Sequence, residues 1–300
     1  MSEGGSSRAP VARLYALLTL MVFFWALNFV IARIALRELP SLLAASLRAC
    51  LAGVLLLPVY FWKGRQYDKE PWTRADVPKL LMLGVVGVTL NQTLFLMGLE
   101  RTSTPHAAII AGMLPIQVLV ISSFLGLELL SLRRLVGMGI ALSGVGVLQL
   151  TRETGGHPAT FLGDLLVLLS GTAFALFAVF GKKMTARHGA LTVNTFAFIG
   201  GGALLIPVIV WMSAGFDYGG VSKGAWLSLL YMAVFPSIVA YLIFYYALTK
   251  IAASRVSTFG YLQPLMATLL GLWLLGDQIT GTLVAGGGLV LAGVFLTERA

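Results

Sequence analysis

Residues 13–151 slid along the chain by 149 positions fall on 162–300 without a gap. Pro58 then lands on Pro207, Trp62 on Trp211 and Pro115 on Pro264. Gly53, Gly137, Gly139 and Gly144 land on Gly202, Gly286, Gly288 and Gly293. Arg33 meets Lys182, Arg101 meets Lys250 and Glu128 meets Asp277. Coincident leucines mean little in an apolar chain. Proline, tryptophan and charge coincidences in one register mark an internal duplication. Each copy holds five apolar runs, and five is odd. A membrane-embedded second copy must therefore enter upside down relative to the first, and inverted repeats are the architecture of secondary transporters.

Composition places those runs in a membrane. Apolar residues make up 58% of the chain and charged residues 11%, with a mean hydropathy of +0.90, far from the values of a soluble domain. A span needs about 20 apolar residues to cross the hydrocarbon core. Charged and Gly/Pro breaks predict spans near 13–35, 41–62, 78–99, 105–127 and 134–151, then 162–183, 190–212, 225–248, 254–276 and 281–297. The expected fold is all-α and integral to the membrane, with ten transmembrane helices in two inverted five-helix repeats. The expected organisation is a cytoplasmic tail over 1–12, a first repeat over 13–151 and a second over 162–300. Such a chain leaves almost no residues for a soluble domain or a water-exposed active site.

Basic residues give a direction. Alternating spans put fifteen Lys and Arg on the side of the N-terminus and five on the other, with Arg48 inside a span. That bias predicts both termini in the cytoplasm of a bacterial-type inner membrane. It also accounts for most of the +9 net charge, so nucleic acid is not an expected partner. The first apolar run is too long for a signal-peptide core, so span one is expected to be retained. The lone cysteine, Cys50, excludes an intramolecular disulfide.

Polar residues inside spans are costly and generally face the bundle interior. Trp25 and Asn28 share a face of span one, and Asn91 and Phe95 a face of span three. His106, Ile110, Met113 and Gln117 form a helical stripe on span four. Ser237, Tyr241 and Tyr245 do so on span eight, and Arg255, Phe259 and Gln263 on span nine. Singly, each such residue is explained equally well by an interhelical hydrogen bond. As a set they predict a cavity between the halves. Trp25, Phe174, Phe177, Tyr241 and Tyr245 are expected against the apolar part of a solute, and Asn28, Asn91, His106 and Gln263 at its polar end.

The repeat also locates weak points. Pro115 and Pro264 interrupt spans four and nine at matched positions, and Gly87 in span three matches Pro236 in span eight. These four are the expected hinges. Gly139 with Ser143, and Gly288 with Ala292, are expected to pack spans five and ten through small residues. Arg33 and Arg48 are read either as snorkelling to the interface or as contacting a substrate carboxylate. No Asp or Glu lies mid-span: Glu128, Asp164 and Asp277 fall at span ends. A sodium site or carboxylate proton relay is therefore not expected, and passive exchange is favoured over coupling; His106, which could titrate near neutrality, is the residue to test for a coupling role, the other histidines, His157 and His188, being in or next to loops.

Phe24-Trp25-Ala26-Leu27-Asn28-Phe29 resembles the W-G-x-N-F signature of the drug/metabolite transporter superfamily, EamA branch. The stretches from Gly98 through Pro115 to Glu128, and from Ala247 through Pro264 to Asp277, resemble the end of that family's repeat. The resemblance spans essentially the whole chain, with Ala26 in place of the usual glycine and Asp277 in place of the usual glutamate. It implies a ten-span carrier with inverted halves, similar to bacterial exporters of aromatic amino acids. The expected function is alternating-access export of aromatic or large neutral amino acids by uncoupled exchange or facilitated diffusion. The alternatives are other amphipathic solutes such as nucleosides and cationic drugs, moved with or without protons, and more distantly a scaffold or membrane-embedded enzyme. No H-E-x-x-H, G-x-S-x-G or acidic metal cluster is present, and no cofactor is expected. The expected partners are a small solute and the lipid bilayer, for a monomer or homodimer.

Overall fold

The computed structural model describes residues 8–64, 70–99, 101–102, 109–149, 160–275 and 281–300. They form ten helices. In the first half these are α1 (Arg8–Ala35), α2 (Ser41–Val59, continued by a π-helical turn over Tyr60–Gly64), α3 (Val77–Gly84, Val85–Leu90 and Asn91–Leu99), α4 (Ile109–Phe124) and α5 (Leu132–Gln149). In the second half they are α6 (Phe161–His188), α7 (Ala190–Ser213), α8 (Lys223–Met232, Ala233–Val239 and Ala240–Leu248), α9 (Ala253–Thr258, Phe259–Tyr261 and Leu262–Leu275) and α10 (Gly281–Glu298). The helices lie within a few residues of the spans predicted from sequence. Seven of them are long and apolar enough to cross a bilayer by themselves.

Two counterpart pairs, α2 with α7 and α5 with α10, pack on each other and run antiparallel. A Cβ on Gly53 of α2 would stand 3.1 Å from the Phe198 carbonyl of α7, and one on Gly202 of α7 3.4 Å from the Ala49 carbonyl of α2. Ala49 and Phe198 are themselves repeat counterparts, so the two contacts are one contact seen twice. On α5 and α10, Gly144 lies against Gly286 and Gly293 against Gly137, with a Cβ 2.5–2.6 Å from the facing carbonyl. Residue numbers rise along one helix as they fall along the other, as inverted halves require. The close face is Gly137, Ala141 and Gly144, not the expected pair Gly139 and Ser143, which are exposed. Gly139 and Gly288 have open space where a Cβ would go. Both stripes have helical spacing, and only the partner helix decides which one is used.

The halves are also intertwined. α1 packs on α8 and α9 of the second half, and α6 packs on α3 and α4 of the first. The main core therefore lies between the halves, with Leu18, Met21, Phe177, Phe198 and Tyr245 fully buried in it.

Matched interruptions lie inside this core. α3 widens to a π-helical segment over Val85–Leu90 and α8 over Ala233–Val239, and the 149-residue shift superposes them. In α8 the cause is Pro236, which has no N–H to give to the carbonyl of Met232. The Ser237 hydroxyl replaces it, donating to that oxygen at 2.9 Å. In α3, Gly87 has room for no side chain, because a Cβ would stand 2.0 Å from the Phe177 ring. Pro115 and Pro264 do not kink a helix from its interior, as expected from sequence. Pro115 stands in the first turn of the regular part of α4, Leu114–Phe124. Pro264 follows the 3-10 turn Phe259–Tyr261 and opens Leu262–Leu275. Both mark breaks between helical segments, where proline is tolerated.

Hydrogen bonds between helix ends sort them into two groups. On the side of the termini, Tyr15 donates to Glu298 (2.9 Å), Lys182 to the Ile251 carbonyl (2.8 Å) and Ser254 to Glu128, which also pairs with Arg134 (3.4 Å). Arg187 there bridges Glu70 (2.5 Å) and Asp76 (3.3 Å). On the opposite side Ser222 donates to Glu38 (2.7 Å), and Thr102 to Asp164. Glu128 and Asp164 thus serve at helix ends, as expected; Asp277 lies outside the described residues.

Candidate functional site

The interruption of α8 frees backbone carbonyls, which inside a bundle need protein donors. Three neighbouring helices supply side chains to three consecutive residues. Trp25 of α1 donates Nε1–H to the Pro236 carbonyl (3.1 Å), Arg48 of α2 donates Nε–H to Ser237 Oγ (3.0 Å), and Asn194 of α7 donates to the Ile238 carbonyl (3.4 Å). The indole and the guanidinium are thereby fixed on adjacent residues of one helix. Arg48 does not snorkel outward, one of its two expected dispositions; its side chain turns into the bundle.

Below Trp25 the rings close into a cluster. Its centroid lies 6.2 Å from Phe174, 6.1 Å from Tyr241 and 6.1 Å from Phe244. Phe177 adds contacts to Tyr241 (5.7 Å) and Tyr245 (5.3 Å), and Phe198 packs on Tyr241 (5.2 Å). Such edge-to-face pairs each contribute about 0.5–1.5 kcal/mol beyond burial. Phe177, Tyr241 and Tyr245 are at most 4% exposed. The structure brings all five expected aromatic residues together, but three of them form a packed plug rather than an open wall. Trp25 is half-buried and bounds the plug, with Phe174 beneath it. Phe244 and Phe198 belong to the cluster and escaped the sequence reading, because neither stands out in a helix of apolar residues.

The polar residues divide. Asn28 is half-buried and its Oδ1 has no partner. Gln92 is 6% exposed and lies beside the Tyr241 hydroxyl without reaching hydrogen-bond geometry, so both of its polar atoms are unbonded. Buried amides without partners are costly. Asn91 is spent on structure: its Nδ2 donates to the carbonyl and hydroxyl of Ser170 (3.0 Å each), and Ser170 donates back to the Asn91 carbonyl (3.0 Å). That exchange ties α3 to α6. Gln263 lies half-buried on α9, outside the ring cluster. His106 lies outside the described residues.

The plug and the bonds from Tyr15, Lys182 and Ser254 all stand toward the side of the termini. Trp25, Asn28, Arg48 and Asn91 stay partly accessible above them.

Ten helices in two inverted halves, with polar and aromatic side chains gathered at the seam between them, define a membrane transporter of the inverted-repeat class. The chain belongs to the EamA-like transporter family, whose sequence pattern matches residues 13–150 and again 161–299. It is 30% identical over 287 residues to an uncharacterized transporter of Archaeoglobus fulgidus, covering 95% of this chain and 98% of that one. It is 26% identical to the inner membrane transporter YedA of Escherichia coli K12, over 89% of this chain and 84% of YedA. A probable terminal-alkyne amino-acid exporter of Streptantibioticus cattleyicolor is 26% identical over 75% of this chain and 74% of its own. A solved crystal structure with 17% identity superposes with a TM-score of 0.78 over 96% of this chain and 97% of that chain, a likeness of fold. The family consists of transporters, not enzymes.

Proposed function

We propose that this transporter exports aromatic or large neutral amino acids by uncoupled exchange or facilitated diffusion, from an inner membrane in which both termini are cytoplasmic. The observation that carries the reading is the pairing of Trp25 and Arg48 on adjacent residues of the broken helix α8. One end of a bound solute would meet an aromatic surface and the other a cation, with the unpartnered Oδ1 of Asn28 and the amide of Gln92 as further polar groups at the seam. An amphipathic zwitterion matches that division. The name of the Streptantibioticus relative, an amino-acid exporter, points the same way. The excess of Lys and Arg on the side of the termini supports the orientation. Uncoupled movement is supported by the location of Glu128, Asp164 and Glu298 in helix-end contacts rather than mid-span.

In this reading Trp25 and Phe174 hold the apolar part of the solute. Phe177, Tyr241 and Tyr245 form the barrier beneath, which must part when the other side opens. The segments around Gly87 and Pro236, and the breaks at Pro115 and Pro264, are where α3, α8, α4 and α9 would bend. The test is efflux from cells loaded with labelled phenylalanine, leucine or a nucleoside. Faster efflux of the amino acids in expressing cells than in empty-vector cells is expected. Faster efflux of the nucleoside alone would replace the substrate assignment.

A further inference from the structure

Arg48 is a cation inside a membrane bundle, and the described residues place no carboxylate against it. Its Nε–H is used by Ser237. Its repeat counterpart is Ala197, so the charge is not needed for the two-fold packing. A guanidinium inside a bundle without a paired anion is unfavourable, and charged residues inside membranes mark ligand pathways. The guanidinium fork is shaped for a carboxylate, which it takes in two parallel hydrogen bonds. Resting on the reading above, we propose that Arg48 is the anchor for the solute's carboxylate. Because Arg48 is bonded to Ser237, and the Ser237 hydroxyl to the Met232 carbonyl, the anion would be held directly on the interrupted turn of α8.

The experiment measures melting temperature in detergent as L-phenylalanine, L-phenylalaninamide or 3-phenylpropionate is titrated. It uses wild type, Arg48→Gln and Arg48→Lys, with phenylalanine counterflow run in parallel. The two carboxylates are expected to bind wild type roughly 30-fold or more tightly than the amide, and Arg48→Gln to lose that preference. Arg48→Lys keeps the charge without the fork and is expected to lose part of it. A wild type indifferent to the carboxylate, or an Arg48→Gln protein that keeps the preference, overturns the assignment. If Arg48→Gln does not fold, an undiminished preference in Arg48→Lys does the same. Stabilisation by 3-phenylpropionate with no amino-acid counterflow keeps the anchor and removes the amino-acid reading. Equal phenylalanine counterflow in wild type and Arg48→Gln does the reverse.

A separate observation carries a second inference. The bond from Tyr15 to Glu298 on the side of the termini has its repeat counterpart in Asp164 and Gln149 on the other side. That counterpart is not made. Gln149 is 5% exposed with both Nε2 and Oε1 unpartnered, and Asp164 accepts from Thr102 instead. We infer that Gln149 and Asp164 bond when the opposite side closes, each pair latching one of two alternate states. Gln149→Leu removes a buried, unbonded amide, so it is expected to raise the melting temperature while slowing counterflow at least tenfold. Unchanged counterflow overturns the inference. So does a lowered melting temperature in both Gln149→Leu and Gln149→Met, which would mean the amide is already satisfied.

Discussion

Gly87→Ala tests how tightly the interrupted segment of α3 is held. The added methyl would stand 2.0 Å from Phe177 Cδ2 and 2.2 Å from Cγ, against ordinary carbon contacts of about 3.5–4.0 Å. Relief needs a shift of about 1.5 Å by a ring that is 0% exposed and wedged between Phe174, Tyr241 and Tyr245. Overpacking of this kind costs about 1–3 kcal/mol. The rescue partner is Phe177→Leu, which by itself removes ring contacts but opens the space the methyl needs. The assay is a double-mutant cycle on melting temperature in detergent, with counterflow measured on the same samples. Gly87→Ala is expected to lower stability in the wild-type background and to be near neutral in Phe177→Leu, giving a coupling of about 1–3 kcal/mol. Additive effects, or a neutral Gly87→Ala in the presence of Phe177, would refute the packing of Phe177 against this turn.

Other expectations follow from single contacts. Gly144→Ala places a methyl 2.6 Å from the Gly286 carbonyl, which cannot step aside, and should cost about 1–3 kcal/mol; Gly139→Ala meets nothing and should be neutral in the same melting assay. Tyr15→Phe removes the bond to Glu298 and should weaken closure on the side of the termini by about 1–2 kcal/mol, read as faster alkylation of a cysteine placed beneath it. The Asp76 carboxyl is held below its usual range, first by the Thr73 backbone N–H, then by the Thr73 hydroxyl, and further by Arg187 and His188. A depressed carboxyl stabilises above the ordinary value near pH 4 and loses that contribution as pH falls through the lower folded value. Asp76→Asn should therefore lower stability at pH 7 and flatten the loss of stability as pH falls below about 4, measured by melting temperature against pH.

Much of the fold was legible because duplication doubles every signal. A proline or glycine that is ambiguous once becomes informative when it recurs 149 residues on, and the paired weak points at Gly87 and Pro236 came from that recurrence. Their form did not: a π-helical turn is made by what replaces the missing hydrogen bonds, and Trp25, Arg48 and Asn194 come from three other helices. Arg48 had two readings because an arginine near a helix end reaches the interface or the interior equally well. The choice is made by Ser237, 189 positions away. Asn28 and Asn91 look alike in sequence, yet one has an unbonded oxygen and the other is consumed by Ser170. The rings at Phe177, Tyr241 and Tyr245, expected against a solute, pack on one another. Periodicity places such rings on one face of a helix, but whether they line a cavity or fill it is decided by the helices packed against them.

The most direct measurement is counterflow in proteoliposomes at symmetric pH with no ion gradient, using labelled phenylalanine outside and unlabelled amino acid inside. Transient accumulation of label driven by the internal amino acid alone, lost with Arg48→Gln, is the expected result. Label that enters only when a proton gradient is imposed would contradict uncoupled exchange. No accumulation under either condition, from protein that also binds no amino acid, would contradict the substrate assignment itself.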